Sequence, residues 1–269
     1  MTDKNNIIAI RIGNQSLAFA AKDDTSANGL AYEPYMFNSS ISVAANLREA
    51  FKKSTLLMRD YQRAAVFVDS QVLLEPVEEF NNDDKSVLYE YTFRKKQQQT
   101  ILHSIVPDLS VAAVFSVDSD IMTVLNDHFR DVRVMPLTMP VWSAMNSRNY
   151  SNTYRKLYAH FHDSKMELFA FSNNHFIFYN SFDIVGNNDA AYYTVSVWKQ
   201  LGFDQERDEL HIVGQVDNAE DVCESIRIYL RNVFLVHPRA DFNRHRYTEV
   251  SGLPYDLMAY FINNRTRCE

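Results

Sequence analysis

The sequence predicts an α/β protein of two lobes, each built on a mixed sheet, and three observations carry that prediction. The stretch Ile7–Ala21, IIAIRIGNQSLAFAA, reads as a β-hairpin, and a near copy of its pattern returns at Leu157–Phe171, LYAHFHDSKMELFAF. Each hairpin is followed by one more strand and then by alternating helices and strands. The length of 269 residues suits two domains of about 100 to 150 residues each. The boundaries drawn are 1–150 and 151–269, with the polar run Asn146–Thr153, NSRNYSNT, as linker.

In the first hairpin Ile8, Ile10 and Ile12 alternate with Ala9 and Arg11, Gly13-Asn14-Gln15 make the turn, and Leu17 and Phe19 resume the alternation. Leu30–Phe37 is the third strand, and Ser39-Ser40 are the expected caps of a helix over Val43–Lys53. Ala64–Asp69, AAVFVD, reads as a buried strand. Asp83-Asp84 start a short helix, and Arg94–Gln99, RKKQQQ, reads as solvated surface. Ile101–Val106 and Val111–Val117 are strands about a Pro107-Asp108 turn. A helix over Ile121–Phe129 is capped by Asp118 or Ser119, Val132–Met135 is a strand, and Met139–Met145 begins another helix.

The second half repeats the opening with strands at Lys156–His162, Lys165–Phe171 and His175–Phe182. Met166, Leu168 and Ala170 share one face there; Glu167, Phe169 and Phe171 share the other. A helix over Ala190–Leu201 is capped by Asn187-Asn188 and stopped by Gly202. Glu209–Val213 is a strand, Ala219–Asn232 a helix, Val233–Val236 a strand ended by Pro238, and Leu253–Asn263 a closing helix. A Rossmann plan would need a first strand running directly into a helix, which the opening hairpin contradicts.

Composition narrows the function classes. The net charge is −7, and division after Tyr150 leaves 15 basic against 18 acidic residues, then 12 against 16, so neither half suits nucleic acid. Six glycines in the whole chain leave no Gly-rich phosphate loop. Two cysteines, Cys223 and Cys268, make no disulfide framework. The N-terminus has no signal-peptide pattern and no apolar run approaches about 18 residues. A cytoplasmic protein without membrane insertion is expected.

A βββαβαβα plan occurring twice resembles the actin-like ATPase fold, also called ribonuclease H-like, shared by sugar kinases, heat-shock chaperones and the cytoplasmic actin-like components of pilus and type II secretion machines. The chain looks like a member of an uncharacterised bacterial family of that fold. In active members the resemblance implies Asp-x-Gly at the end of the first strand, its Asp organising Mg²⁺, and the matching residues here are Arg11-Ile12-Gly13. The second hairpin should supply another, and the matching residues are His160-Phe161-His162, with Asp163 next along in the turn. An adenosine-binding pair of glycines matches Gly214-Gln215.

Mg²⁺ takes hard oxygen ligands, and phosphoryl transfer relies on that ion, so ATP hydrolysis is not expected with Arg11 and His160 in those places. No catalytic residue, metal ligand or cofactor is assigned. The leading expectation is a non-hydrolysing scaffold that binds an unknown protein partner. A nucleotide- or anion-binding sensor is the alternative, drawing on Arg11, Gly13, Asn14, Gln15, His160, His162, Asp163, Ser164, Gly214 and Gln215. A divergent ATPase or kinase would instead recruit Asp163 or Asp118.

Each sharp reading has a plain rival. Arg11 fits phosphate oxygens, but a surface or inter-domain ion pair is the favoured reading. His160 and His162 stand two apart on a strand and face one way, a legitimate metal-ligand spacing, yet no third ligand stands near them in sequence and structural histidines are favoured. Asp118 and Asp120 read as helix caps. Arg239–Arg246, RADFNRHR, reads as a solvated loop, and Tyr192-Tyr193 and Trp198 as core packing.

Overall fold

The computed structural model describes residues 7–94, 98–148, 154–173, 175–216 and 218–263. Strands β1 (Ile7–Ile12) and β2 (Ser16–Lys22) form the first hairpin, and β3 (Leu30–Met36) adds a third antiparallel strand. Their alternation does not mark a wet face: residues 8–12 and 17–21 are all buried. Isoleucine and phenylalanine fill one side, while Ala9, Ala18 and Ala20 let neighbouring layers approach on the other.

After α1 (Val43–Lys53), β4 (Arg63–Val68) pairs parallel with β1. Then come β5 (Val72–Pro76), α2 (Lys85–Thr92), β6 (Gln99–Val106), β7 (Val111–Asp118), α3 (Ser119–His128), β8 (Asp131–Pro136) and α4 (Met139–Asn146). Strand β8 lies parallel beside β4, giving the order β3-β2-β1-β4-β8, while β5-β7-β6 form a separate antiparallel sheet.

The second half supplies β9 (Lys156–His162), β10 (Lys165–Ser172), β11 (His175–Asp183), α5 (Asn187–Gln200), β12 (Glu209–Gly214), α6 (Ala219–Arg227), β13 (Asn232–Leu235), α7 (Pro238–Asp241) and α8 (Tyr255–Asn263). Its sheet runs β11-β10-β9-β12-β13, two antiparallel pairings followed by two parallel ones, which repeats the first sheet strand for strand. One face packs on α5 and α6 through Leu157, Ala159, Met166, Leu168, Trp198, Ile212, Cys223 and Ile226. The protein is thus a duplicated α/β fold with mixed sheets. Among the described residues no helix is long and apolar enough to cross a membrane.

The chain forms two compact units, Met1–Met139 with Glu249–Leu253, and Pro140–Thr248 with Pro254–Glu269. The change of unit comes at the start of α4 rather than after residue 150. Most of the expected linker, residues 149–153, lies outside the described residues, as does the middle of the RKKQQQ run, residues 95–97.

Several local expectations are corrected. The cap of α1 is Ser42, whose hydroxyl accepts from Ala45 N at 3.2 Å, because buried Asn46 holds the Ser39-Ser40 segment outside the helix by donating to the carbonyls of Asn38 and Ile41. Gly186, not Asn187-Asn188, caps α5, and Asp189 accepts from Val185 N and Gly186 N. Helix α6 stops at Arg227, since Asn232 donates to Glu206 O and Val233 and Leu235 pair with β12. Asp118 caps α3 as expected.

Trp198 and Tyr193 pack inward, but Tyr192 is 68% exposed. The RADFNRHR segment is only partly a solvated loop. Arg239, Arg244 and Arg246 are exposed, whereas Phe242 is buried under the Arg148 guanidinium and Asp241 accepts from Arg148 at 2.6 Å and from the Tyr255 hydroxyl.

Asp23, in the turn after β2, accepts from Thr25 and from Arg59 Nη1 at 2.8 Å, and these donors hold its carboxyl at about 2. A carboxyl depressed in the folded state stabilises fully above its unfolded value, about 4, and loses that contribution as pH falls through 2. Urea midpoints of wild type and Asp23→Asn, measured from pH 5 down to about 2, are therefore expected to converge as the pH drops.

Candidate functional site

The β9–β10 hairpin turns on two residues, Asp163 and Ser164, with φ of 44° and 60°. Positive φ at both central positions is the requirement of a type I′ turn, whose twist matches the flanking strands. The turn pairs His162 with Lys165 and His160 with Glu167. Residues directly opposite in an antiparallel pair share a face, so the two histidines and Glu167 stand together. Leu157, Ala159, Phe161, Met166, Leu168 and Ala170 occupy the other face, in the core.

The polar face is as dry as the apolar one. His160 is 1% exposed, His162 4% and Glu167 2%. Glu167 turns one oxygen to each ring: Oε2 is 3.9 Å from His160 Nδ1, and Oε1 is 3.6 Å from His162 Nε2. The Tyr179 hydroxyl donates to Glu167 Oε1 at 3.1 Å, and Trp142 of α4 packs edge-on against the Tyr179 ring. His162 Nδ1 lies 3.3 Å from Asp163 Oδ2. A carboxylate accepts, so Nδ1 donates to Asp163; Nε2 then carries a lone pair in the neutral ring and donates to Glu167 in the imidazolium, the form that holds the carboxylate ionised.

Burial pushes His160 below the ordinary histidine value, against the pull of Glu167 and of Asp256 at the start of α8. Burial works the opposite way on Glu167, disfavouring its charge, but the two imidazoles outweigh it and hold the carboxyl at about 2. Among the described residues neither His160 Nδ1 nor Glu167 Oε2 has a hydrogen-bond partner. Leaving such a buried atom unsatisfied costs about 1–3 kcal/mol. One ligand atom from each of the three side chains lies within 4.8 Å of the other two, the spacing of a set that could hold a cation.

Gly214 backs the cluster. It ends β12 opposite Phe161 with φ of +94°, and a Cβ there would stand 2.3 Å from Phe161 O and 2.9 Å from His160 Cδ2. Gln215 N then donates to Phe161 O at 3.0 Å. The glycine thus has a local reason in the close approach of β12 to the His160 ring.

Of the residues singled out in the sequence, His160, His162, Asp163, Ser164, Gly214 and Gln215 gather at this end of the second sheet. Ser164 is exposed, and its carbonyl accepts from Ile184 N. The other four belong to the first unit. Arg11 is buried in β1 between Ala18 and Phe67, Gly13 N donates to Ser16 O, and Asn14 and Gln15 are exposed at the tip. Glu167 was not singled out, although the signal was present: with 163 and 164 at the tip, position 167 must face 160.

Comparison with known proteins adds three findings. The family described as protein of unknown function (DUF3822) matches residues 1–233. A crystal structure from Bacteroides thetaiotaomicron, a protein with actin-like ATPase fold and unknown function, is similar over 91% of this chain and 96% of that one, with TM-score 0.80 and 24% identity. A chain of the PilM–PilN type IV pilus biogenesis complex is similar over 89% of this chain and 90% of its own, with TM-score 0.60 and 10% identity. No curated protein matches. These likenesses show the fold, an actin-like ATPase fold.

Gly214→Ala is expected to lower stability by about 2 kcal/mol or more, since it combines a left-handed backbone with a backbone clash. Chemical denaturation of both proteins checks this. An unchanged midpoint would mean that β12 does not press on His160.

Proposed function

The chain belongs to the DUF3822 family, and from that footing we propose that it is a partner-binding module on an actin-like ATPase fold that does not turn over ATP. One observation carries the reading. Arg11 near the end of β1 and His160 in β9 are buried, at 4% and 1% exposure, in the strands where the resemblance to actin-like ATPases implies Mg²⁺-organising carboxylates. A guanidinium offers no lone pair to a cation and repels it, and imidazole is a poor ligand for Mg²⁺. Asp163, the substitute a divergent ATPase would need, faces His162 from the hairpin turn.

The partner-binding half of the proposal is supported by α2. It leaves Val87 69%, Leu88 42% and Tyr91 91% exposed, and Val87 and Tyr91 are neighbours at i, i+4 spacing. The similar chain from the PilM–PilN complex was solved in a complex, which agrees with a docking role for the fold.

Phosphate release from ATP and thermal unfolding with and without Mg²⁺-ATP test the first half. No release above the blank and no Mg²⁺-dependent rise in Tm are expected, because a ligand of the native state must raise its stability. Hydrolysis that disappears in Asp163→Ala would overturn the proposal in favour of a divergent ATPase. For the second half, a photoreactive residue at position 91 is expected to yield one discrete adduct in the cells the protein comes from. Absence of an adduct would remove α2 as the docking surface.

A further inference from the structure

We propose that His160, His162 and Glu167 form a metal site for a transition-metal cation of the zinc type. Three independent features of the cluster point there. The donor set is two imidazole nitrogens and a carboxylate, the combination that suits Zn²⁺ and its neighbours rather than Mg²⁺ or Ca²⁺. Ligand atoms about 2.0–2.2 Å from a tetrahedral ion lie about 3.3–3.5 Å from one another. The two carboxylate–imidazole separations, 3.6 Å from Oε1 and 3.9 Å from Oε2, each exceed that by a few tenths of an ångström, and one ligand atom from each side chain lies within 4.8 Å of the other two, so the set must close by up to about an ångström around an ion.

Second, the surrounding groups are arranged as supports for ligands. Asp163 takes the Nδ1–H of His162, which fixes the tautomer that turns the Nε2 lone pair inward. The Tyr179 hydroxyl donates to Glu167 and orients its carboxylate. Such outer contacts, a carboxylate behind a histidine and a donor behind a carboxylate, orient and strengthen metal ligands.

Third, the cluster needs a positive charge. In the buried space between β9 and β10 a neutral His162 presents a lone pair to a carboxylate oxygen, and His160 Nδ1 and Glu167 Oε2 have no hydrogen-bond partner among the described residues. A cation satisfies these groups together. The remaining explanation is a proton: a histidinium paired with Glu167 would occupy the same place without metal, and the test must separate the two.

Because the ligands are buried, the ion is expected to enter while the chain folds rather than by diffusion into the finished protein. The full-length chain should therefore be unfolded with chelator and refolded in parallel with zinc, with cobalt, or with neither, then freed of loose metal by gel filtration. Elemental analysis is expected to find about one zinc per chain, and the cobalt form should show the visible absorption of a four-coordinate ion with nitrogen and oxygen ligands. The zinc-refolded protein should melt higher than the metal-free one.

Glu167→Gln, which keeps the shape and an oxygen to accept from the Tyr179 hydroxyl, and His162→Gln should each lower bound zinc at least tenfold and abolish the cobalt spectrum. Less than a tenth of an equivalent in the refolded wild type, with the same Tm in every preparation, would overturn the proposal and leave the protonated pair. Zinc retained undiminished in both variants would overturn it too, by placing the ion elsewhere. Should either variant fail to fold, the cobalt spectrum and zinc content of the wild type decide alone. The proposal does not rest on the absence of ATP turnover, and either can fail without the other.

Discussion

The register of β9 against β10 is the constraint on which the second unit depends. A slip of β9 by one residue would carry His160 and His162 into the layer packed on α5 and α6, and would bring Leu157, Ala159 and Phe161 out beside Glu167 and Tyr179. Both faces are buried, so neither exchange could be relieved by solvent. The type I′ turn at Asp163-Ser164 excludes the slip locally, and Gly214 excludes it from the side of β12, since only a residue without Cβ admits the His160 ring. Turn, core and polar cluster therefore all require one alignment.

Duplication preserved strand directions while the chemistry of the two hairpins diverged. In both sheets the opening strand is flanked by an antiparallel partner on one side and a parallel one on the other. In the first, its neighbours opposite Arg11 are Ala18 and Phe67; in the second, those opposite His160 are Glu167 and Val213. A long cation beside a small alanine and an imidazole beside a carboxylate are different solutions to filling the same strand position. The first half also carries the β5-β7-β6 sheet and α2, which the second half lacks among the described residues.

Much of the architecture was legible in the sequence because it rests on local signals. The two hairpins, the strand Ala64–Asp69 and the Asp118 cap follow from alternation and from capping chemistry within a few residues. The misplaced details were those set by distant partners. Asn46 decides where α1 begins by binding a segment eight residues back, and β5, a short edge strand ending in Pro76, exists only because β7 pairs with it. The site was half legible. Two histidines on one face could be read directly, but the third group became visible only through the pairing register, which proximity along the chain does not reveal.

The return of Glu249–Leu253 to the first unit bears on how the protein can be assembled during synthesis. Gly252 comes to lie beside the Tyr32 ring, so a piece of the first unit leaves the ribosome only after the chain of the second has been made almost entirely, long after the first five-stranded sheet has been released.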